Sequence, residues 1–179
     1  MGEVNQISKK CLEAIVNHMP DPMFIMDMNG IVISWNRAME LLLKIPAEGV
    51  VGQSKDHLSM IFYGEKRPIL SDLLLTPDPE IEKKYEKFTR NDDGTIEGFT
   101  WAEKWGLYIW AKAAPFYNLE GEMIGIMEIN RDVTMIRNQE RKYKSLFGAM
   151  KTILDNVNLM IWAKDIDNRY TFVNRQYKN

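Results

Sequence analysis

Cysteine and histidine are scarce in this chain of 179 residues, which has one of the former, Cys11, and two of the latter. A single cysteine forms no internal disulfide and no cysteine-based zinc or iron–sulfur cluster, which favours a reducing compartment. The 23 basic and 25 acidic residues are interspersed, so no basic stripe is present to hold a nucleic-acid backbone. No apolar run approaches the roughly 18 residues that a membrane span requires. With no signal-peptide pattern at the start, we expect a cytoplasmic segment that contacts neither nucleic acid nor a membrane.

The hydrophobic content limits the number of complete domains. At 45% hydrophobic residues over 179 positions, the chain can bury one full core and has too little left for a second. We therefore expect one domain with extensions.

An internal repeat is the most informative pattern in the sequence. Residues 14–37 realign without a gap on residues 152–175. The identical pairs are Ile15/Ile153, Asp27/Asp165, Asn36/Asn174 and Arg37/Arg175. A repeated αβ unit predicts tandem domains, so we interpret residues 157–179 as the truncated start of a second domain in a longer modular protein.

The N-terminal part reads as a helix followed by a hairpin. Apolar residues at spacings of three and four, beginning with Val4, Ile7 and Cys11, predict an amphipathic helix within residues 1–18. Two β-prone runs then flank the turn sequence Asp27-Met28-Asn29-Gly30, which is typical of a β-hairpin.

Helices should fill the middle of the chain. Asn36 can cap a helix over residues 37–43. Two further helices are predicted over residues 64–75 and 78–88, the second with Asp78 as its N-cap and Pro79 at its first position.

The C-terminal part changes to a period of two. Residues 95–103, 107–117 and 122–131 are rich in Trp, Tyr and Ile and predict a three-stranded antiparallel meander. The complete order predicts an α+β fold: a five-stranded antiparallel sheet with helices on one face, a cavity between the two layers, and flanking N-terminal and C-terminal helices.

A regular apolar strip follows the last strand. Its members alternate spacings of four and three, with Glu140 as the one polar residue on the seam. They are Ile136, Tyr143, Phe147, Met150, Leu154 and Val157. This spacing predicts a coiled-coil-like linker helix over residues 135–156, although an inert spacer helix is the alternative interpretation.

Three sequence blocks, taken in order, resemble the PAS family of sensor domains. They are MFIMDMNGIVISWNRA at residues 23–38, APFY at 114–117 with the turn that follows it, and RDVT at 131–134. The resemblance covers about residues 12–137 and again 153–179. A further block, FYGEKRPIL at residues 62–70 with WAKAAP at 110–115, is similar to a PAS subgroup common in prokaryotic sensor kinases.

The resemblance implies a domain over residues 19–134 that transmits a signal and does not catalyse. Asp132 and Thr134 match the family's junction between last strand and signalling helix. We expect a small-molecule ligand in the cavity, a homodimer formed through the terminal helices, and relay to an output domain, of sensor histidine kinase type. The alternatives are a structural dimerisation module without a ligand, an input domain of a transcription regulator, and a cofactor-bearing redox or light sensor.

The cavity-facing residues are predicted from alternation. The resemblance selects Phe24 and Met26 on the first strand. Alternation along the other strands selects Ile31, Ile33, Ile109, Ala111, Ala113, Ile126, Glu128 and Asn130. A buried Glu128 carboxylate needs a donor, from a ligand, Lys112, Arg131 or water. The alternative is a register shifted by one residue, with Glu128 in solvent.

No cofactor or metal is expected. The resemblance implies that flavin chemistry requires a cysteine in an Asn-Cys-Arg motif on a central helix, whereas Cys11 lies before the domain. It also implies that haem-binding members use a histidine on the helix before the meander, and residues 64–101 contain none. The two histidines, His18 and His57, lie elsewhere and are expected at the surface or at helix caps.

Overall fold

Six antiparallel strands form the sheet of the first of two structural units, which ends at Thr134. The structure is a computed structural model that describes residues 10–11 and 13–178. The strands are β1 (Met23–Asp27), β2 (Val32–Trp35), β3 (Glu86–Arg90), β4 (Ile96–Ala102), β5 (Leu107–Tyr117) and β6 (Met123–Asp132). Their spatial order is β2-β1-β6-β5-β4-β3. The α+β architecture predicted from the sequence is confirmed, with one strand more than expected.

The additional strand is β3 at one edge of the sheet. Residues 78–88 were predicted as one helix, but a short helix ends at Glu82 and the chain then pairs with β4. Phe88 is the one half-buried residue of β3 and the other four are exposed. A strand with so little apolar alternation is held by the backbone hydrogen bonds that β4 offers, which the sequence pattern does not reveal.

Short helices cover one face of this sheet. They are α1 (Arg37–Leu43), α2 (Lys55–Tyr63), α3 (Leu70–Leu75) and α4 (Pro79–Glu82), with single 3-10 turns at Ala47–Gly49 and Glu103–Trp105. The bounds predicted for α1 are confirmed, and its predicted cap Asn36 accepts a hydrogen bond from Met39 N. The helix predicted over residues 64–75 is wrong in its first half, because Gly64 takes a φ of 75° and ends α2.

A bulge in the first hairpin changes which side chains of β2 face the helices. Ile25 pairs with Ser34, whereas Met26 pairs with Val32, so Ile33 is an extra residue. Val32 is consequently buried and Ile33 is 50% exposed. The inward orientation predicted for Ile33 is wrong, because strict alternation assumes an unbroken ladder.

Asn36 joins the start of the domain to its first helix. Its Oδ1 atom accepts hydrogen bonds from Met23 N at 3.0 Å and Met39 N at 2.9 Å. Its Nδ2 atom donates to the carbonyl of Asp21 at 2.9 Å. One buried side chain therefore satisfies backbone groups of both β1 and α1, which otherwise have no partner.

The second unit, residues 135–179, repeats this local geometry. It contains most of α5 (Thr134–Asp155), a hairpin of β7 (Trp162–Lys164) and β8 (Tyr170–Val173), and α6 (Arg175–Lys178). Asn174 Oδ1 accepts from Ile161 N at 2.9 Å and its Nδ2 donates to the carbonyl of Leu154 at 2.9 Å. The repeat is thus visible in hydrogen bonding, while the assignment of residues 157–179 to a second domain stays a prediction.

The terminal helices differ in how much of them is described. Residues 13–18 are helical, whereas Val4 and Ile7 of the predicted apolar strip lie outside the described residues. None of the side chains of α5, which is described throughout, is buried. Among the described residues no helix is long and apolar enough to cross a membrane.

We predict that Asn36→Ala lowers the free energy of unfolding of the first unit by about 2–4 kcal/mol, because the change removes a helix cap and leaves buried backbone groups unpaired. Denaturant unfolding combined with hydrogen exchange in β1 and α1 measures the loss.

The matched control is Asn174→Ala, which removes the same kind of side chain from the second unit. We expect it to leave protection in β1 and α1 unchanged. Equal losses in the first unit from both variants would contradict the role assigned to Asn36.

Candidate functional site

A small internal cavity lies between the sheet and the helices of the first unit. It is lined by Leu42, Leu43, Phe62, Tyr63, Thr100, Ala102, Trp105, Ile109, Ala111, Glu128 and Asn130. Its free volume is about 20 Å³, which is the space that one water molecule needs. The cavity predicted from the fold is therefore present, and its own side chains nearly fill it.

Four of the predicted cavity residues line this space, and the others do not. Ile109, Ala111, Glu128 and Asn130 lie in its wall. Four more are buried in the core next to it, where they are not part of its lining: Phe24, Met26, Ala113 and Ile126. Ile31 is half-buried and bridges to Ser54, outside the named strands. Ile33 faces away from the cavity, as described above.

Several lining residues were missed by the sequence analysis. Thr100 and Ala102 belong to the buried alternation of β4, and the same period-two argument applied to that strand identifies them. Leu42, Phe62 and Trp105 come from helices and a 3-10 turn. Which face of a short helix meets the cavity depends on how the connecting loops pack, so no local pattern points to them.

Glu128 is buried, with only 3% of its surface exposed. Its Oε2 atom accepts hydrogen bonds from Ser71 N at 2.9 Å and from Ser71 Oγ. The two side-chain donors suggested from the sequence are wrong: Arg131 pairs with Asp21, and Lys112 lies on the opposite side of β5 from Ala111 and Ala113. Alternation along β6 was correct, because Ile126, Glu128 and Asn130 are all buried.

Burial raises the pKa of Glu128 to about 7 from an ordinary value of 4.5. Desolvation is the largest cause, because a charged carboxylate loses its water. The hydrogen bonds from Ser71 oppose it by favouring the charged form, whereas the nearby charge of Asp72 raises the pKa further. A carboxyl group that changes charge close to neutral pH therefore faces the cavity.

Asn130 lies on the same strand, two residues further along, and is 5% exposed. It adjoins Glu128 and helps to favour the charged carboxylate. Its buried Nδ2 atom nevertheless has no hydrogen-bond partner of normal geometry within the described residues. A buried amide donor without an acceptor costs about 1–3 kcal/mol, so the cavity offers a polar molecule one unused donor.

A pair of tyrosines extends this polar region. The hydroxyl groups of Tyr63 and Tyr85 are 2.7 Å apart, and burial raises the pKa of both side chains. Tyr85 fits against the sheet because Gly98 has no side chain, since a Cβ atom there would lie 3.0 Å from the Tyr85 Cβ. The negative charge of Glu128 also raises both tyrosine pKa values, so these groups affect one another electrostatically.

The end of β6 forms the junction predicted from the sequence. Asp132 Oδ1 accepts a hydrogen bond from Thr134 N at 2.8 Å, which fixes the first residue of α5. Thr134 Oγ1 accepts one from Tyr108 N at 2.8 Å. Both side chains therefore tie the start of the helix to strands of the sheet.

Metal binding has no evident ligand set in the part of the chain that is described. No group of three or more His, Cys, Asp or Glu side chains there could hold an ion.

The first part of the chain matches a known family. The model of the PAS fold family matches residues 11–58, which include β1, β2 and α1. Comparison with curated proteins gave no match.

Solved structures share the architecture at low sequence identity. An RNA-binding Light-Oxygen-Voltage receptor is 13% identical with a TM-score of 0.53, over 82% of this chain and 38% of that one. The PAS domain of BvgS from Bordetella pertussis is 13% identical with a TM-score of 0.46, over 79% and 98%. A PAS domain from Colwellia psychrerythraea is 22% identical with a TM-score of 0.43, over 72% and 98%. At these identities the likeness concerns the fold.

We predict that Glu128 makes the protein less stable as the pH rises from 4.5 to about 7. The pKa of Glu128 is raised in the folded state, so the folded protein binds this proton more tightly than the unfolded chain does. The resulting contribution to the free energy of unfolding is fully present below pH 4.5 and is lost as the pH rises through about 7. Carboxyl groups whose pKa values are lowered, such as those of Asp27 and Asp93, alter the pH dependence of stability below pH 3.8, which is outside this window.

Denaturant unfolding across this pH range, with Glu128→Gln as the matched variant, measures the effect. The amide keeps an acceptor for Ser71 but does not titrate, so its slope should be shallower. Identical slopes for the two proteins would contradict the prediction.

Proposed function

We propose that this chain, whose first unit is a PAS domain, is the sensory part of a signalling protein. A small molecule with hydrogen-bonding groups binds beside Glu128 and Asn130, and its binding is relayed to α5 and from there to an output domain. The parent protein is a sensor of histidine kinase type, to which this chain contributes no catalytic residue.

One observation carries the proposal: a single strand holds both the polar cavity residues and the junction. Glu128 and Asn130 face the cavity, and Asp132, two residues further on, binds the first residue of α5. Alternation places all three on the same side of β6. A ligand that changes the hydrogen bonds of Glu128 therefore acts on a strand whose end holds the helix start.

Ligand entry requires the cavity to expand. The free volume of about 20 Å³ is far below the roughly 300–1,000 Å³ of pockets for drug-sized ligands. The ligand must therefore displace side chains of the covering helices, and binding selects a more open state of the domain. Such a change of packing is the physical signal that the strand can pass on.

The same small volume favours a second candidate function, a structural dimerisation module without a ligand. In that case the side chains that fill the cavity simply complete the core, and Glu128 is satisfied by Ser71 alone. The two candidates differ in whether a small molecule stays with the purified protein.

A homodimer through the terminal helices belongs to both candidates. Along α5 the apolar strip is exposed, with Tyr143 at 73%, Phe147 at 57% and Met150 at 49%. A strip of this spacing is typical of a two-stranded coiled coil, and a second copy of the same chain offers the matching strip. The coiled coil then supplies a two-state element that an output domain can read.

Native mass spectrometry of protein purified from cells tests the sensor and the dimer together. We expect a dimer whose mass exceeds that of two polypeptides by a small molecule that denaturation releases. Asn130→Leu should abolish the excess mass and keep the dimer, because it removes the unused amide donor and retains an apolar volume.

Asn118→Leu, in the exposed turn between β5 and β6, is the matched control and should retain the excess mass. A dimer of bare polypeptides in all three proteins would favour the structural module. Monomers at tens of micromolar would contradict dimerisation.

We predict further that Asp132→Ala loosens the start of α5 without unfolding the sheet. Loss of the bond to Thr134 N removes about 1 kcal/mol of helix-start stabilisation, so hydrogen exchange in residues 135–150 should become several-fold faster.

Asp93→Ala is a matched control, because Asp93 makes the same type of bond to Thr95 N at 3.0 Å in the turn between β3 and β4. It should leave exchange in residues 135–150 unchanged. Unaltered exchange there in Asp132→Ala as well would show that the junction does not depend on this side chain.

A further inference from the structure

A second, larger concave region lies on the surface of the same unit, away from the internal cavity. We call it the α2–α3 groove. Its lining residues are Lys55, Asp56, Lys66, Arg67, Pro68, Asp72, Leu75, Thr76 and Asp78, and its volume is about 460 Å³. It shares no residue with the cavity around Glu128. The groove contains Lys66, Arg67 and Pro68 of the FYGEKRPIL block, of which the cavity is lined only by Phe62 and Tyr63.

All three carboxylates of the groove already have partners. Asp56 pairs with Lys66 at 3.0 Å, and Asp72 pairs with Lys55 at 3.2 Å. Asp78 accepts hydrogen bonds from the first backbone N–H groups of α4, at 3.0 Å from Glu80 N. The acidic side chains of the groove are thus engaged by protein donors.

Arg67 is the cation of the groove that has no acidic partner among the described residues. Its guanidinium group lies 3.4 Å from the centroid of the Tyr63 ring, a stacking contact that uses the face of the guanidinium and leaves its N–H groups in the plane. The Nε atom is buried and has no hydrogen-bond partner in the described structure. The Nε–H donor of a planar, pre-oriented guanidinium group therefore lacks an acceptor.

We propose that the α2–α3 groove binds a compact oxyanion, a carboxylate or phosphate group, through Arg67. The guanidinium geometry matches two oxygens of such a group, and its orientation is already restricted by Tyr63. An acceptor at Nε removes the cost of about 1–3 kcal/mol that an unpaired buried donor carries.

One lysine of the groove can assist the bound anion. The ion pair of Lys66 with Asp56 is exposed on both sides, with the side chains 72% and 56% exposed. Exposed ion pairs contribute little to stability, so Lys66 can turn towards an anion at little cost, whereas Lys55 stays with Asp72, whose side chain is only 12% exposed. This inference does not depend on the ligand proposed for the internal cavity.

Titration of the full chain with sodium phosphate and with sodium acetate, against sodium chloride at equal ionic strength, tests the proposal. Chemical shifts of backbone amides locate the site. We expect saturable shifts in residues 55–56 and 64–67 with at least one of the two oxyanions, and none with chloride. Saturation by phosphate alone identifies a phosphate site, and saturation by acetate alone identifies a carboxylate site.

Arg67→Gln should weaken the affinity by about tenfold or more, because it removes charge-assisted hydrogen bonds worth about 1.5–3 kcal/mol. Arg37→Gln, on the exposed surface of α1, is the matched control and should bind as the original chain does. Affinity equal in both variants would overturn the proposal. So would the absence of saturable shifts in residues 55–56 and 64–67 of the unaltered chain, a result that requires no variant to fold.

Discussion

Burial of the Glu128 carboxylate is the constraint to which the rest of the first unit conforms. A charged group inside a protein is tolerated when donors replace its lost water, and Ser71 supplies two of them from the first turn of α3. That requirement holds α3 against β6, at the centre of the covering layer. The same burial brings the pKa to about 7, so the group that positions the helix also changes its charge near neutral pH.

The coupling that we propose between the cavity and α5 rests on the geometry of one strand. β6 pairs with both β1 and β5, so a displacement near Glu128 meets resistance from two neighbours and cannot be absorbed by a free edge. Asp132 at its end accepts a hydrogen bond from Thr134 N, and the next residue, Val133, donates its backbone N–H to the carbonyl of Tyr108 on β5. The proposed relay requires that such a shift is passed on as a change between discrete arrangements, because a packed core does not deform continuously.

The hydrogen bonds of Asn36 and Asn174 explain why these positions of the repeat are occupied by identical residues. Asn36 and Asn174 each accept from a residue 13 positions earlier and donate to carbonyls before the first strand. This pattern needs an acceptor atom and a separate donor atom on one short side chain, whereas an ionised aspartate only accepts and a serine has a single hydroxyl group for both purposes. Asp27 and Asp165 likewise accept from the backbone N–H group four residues later in their turns. Most other positions only need to be apolar, so their identities differ.

Local sequence patterns predicted the structure correctly where the stabilising interactions join residues close together in sequence. The bounds of α1 and β5, the hairpin turn at Asp27 and the inward direction of Glu128 all follow from capping, turn chemistry and a period of two. The alternation failed at Ile33, because a bulge shifts the register by one residue. Edge strand β3 was missed because its partner, and not its own composition, makes it a strand.

The sequence by itself determined the α+β class and the repeat, and it offered a carboxylate on the inner side of β6 as one of two possible registers. Only the tertiary structure decided which group satisfies that carboxylate, since Ser71 is 57 residues away in sequence. It also decided that Arg67 stacks on Tyr63 beside an open groove and that the internal cavity is nearly closed. These features depend on contacts between segments that are distant in sequence. Alternative contacts of this kind have comparable free energies, so the choice between them is made only when the whole core packs.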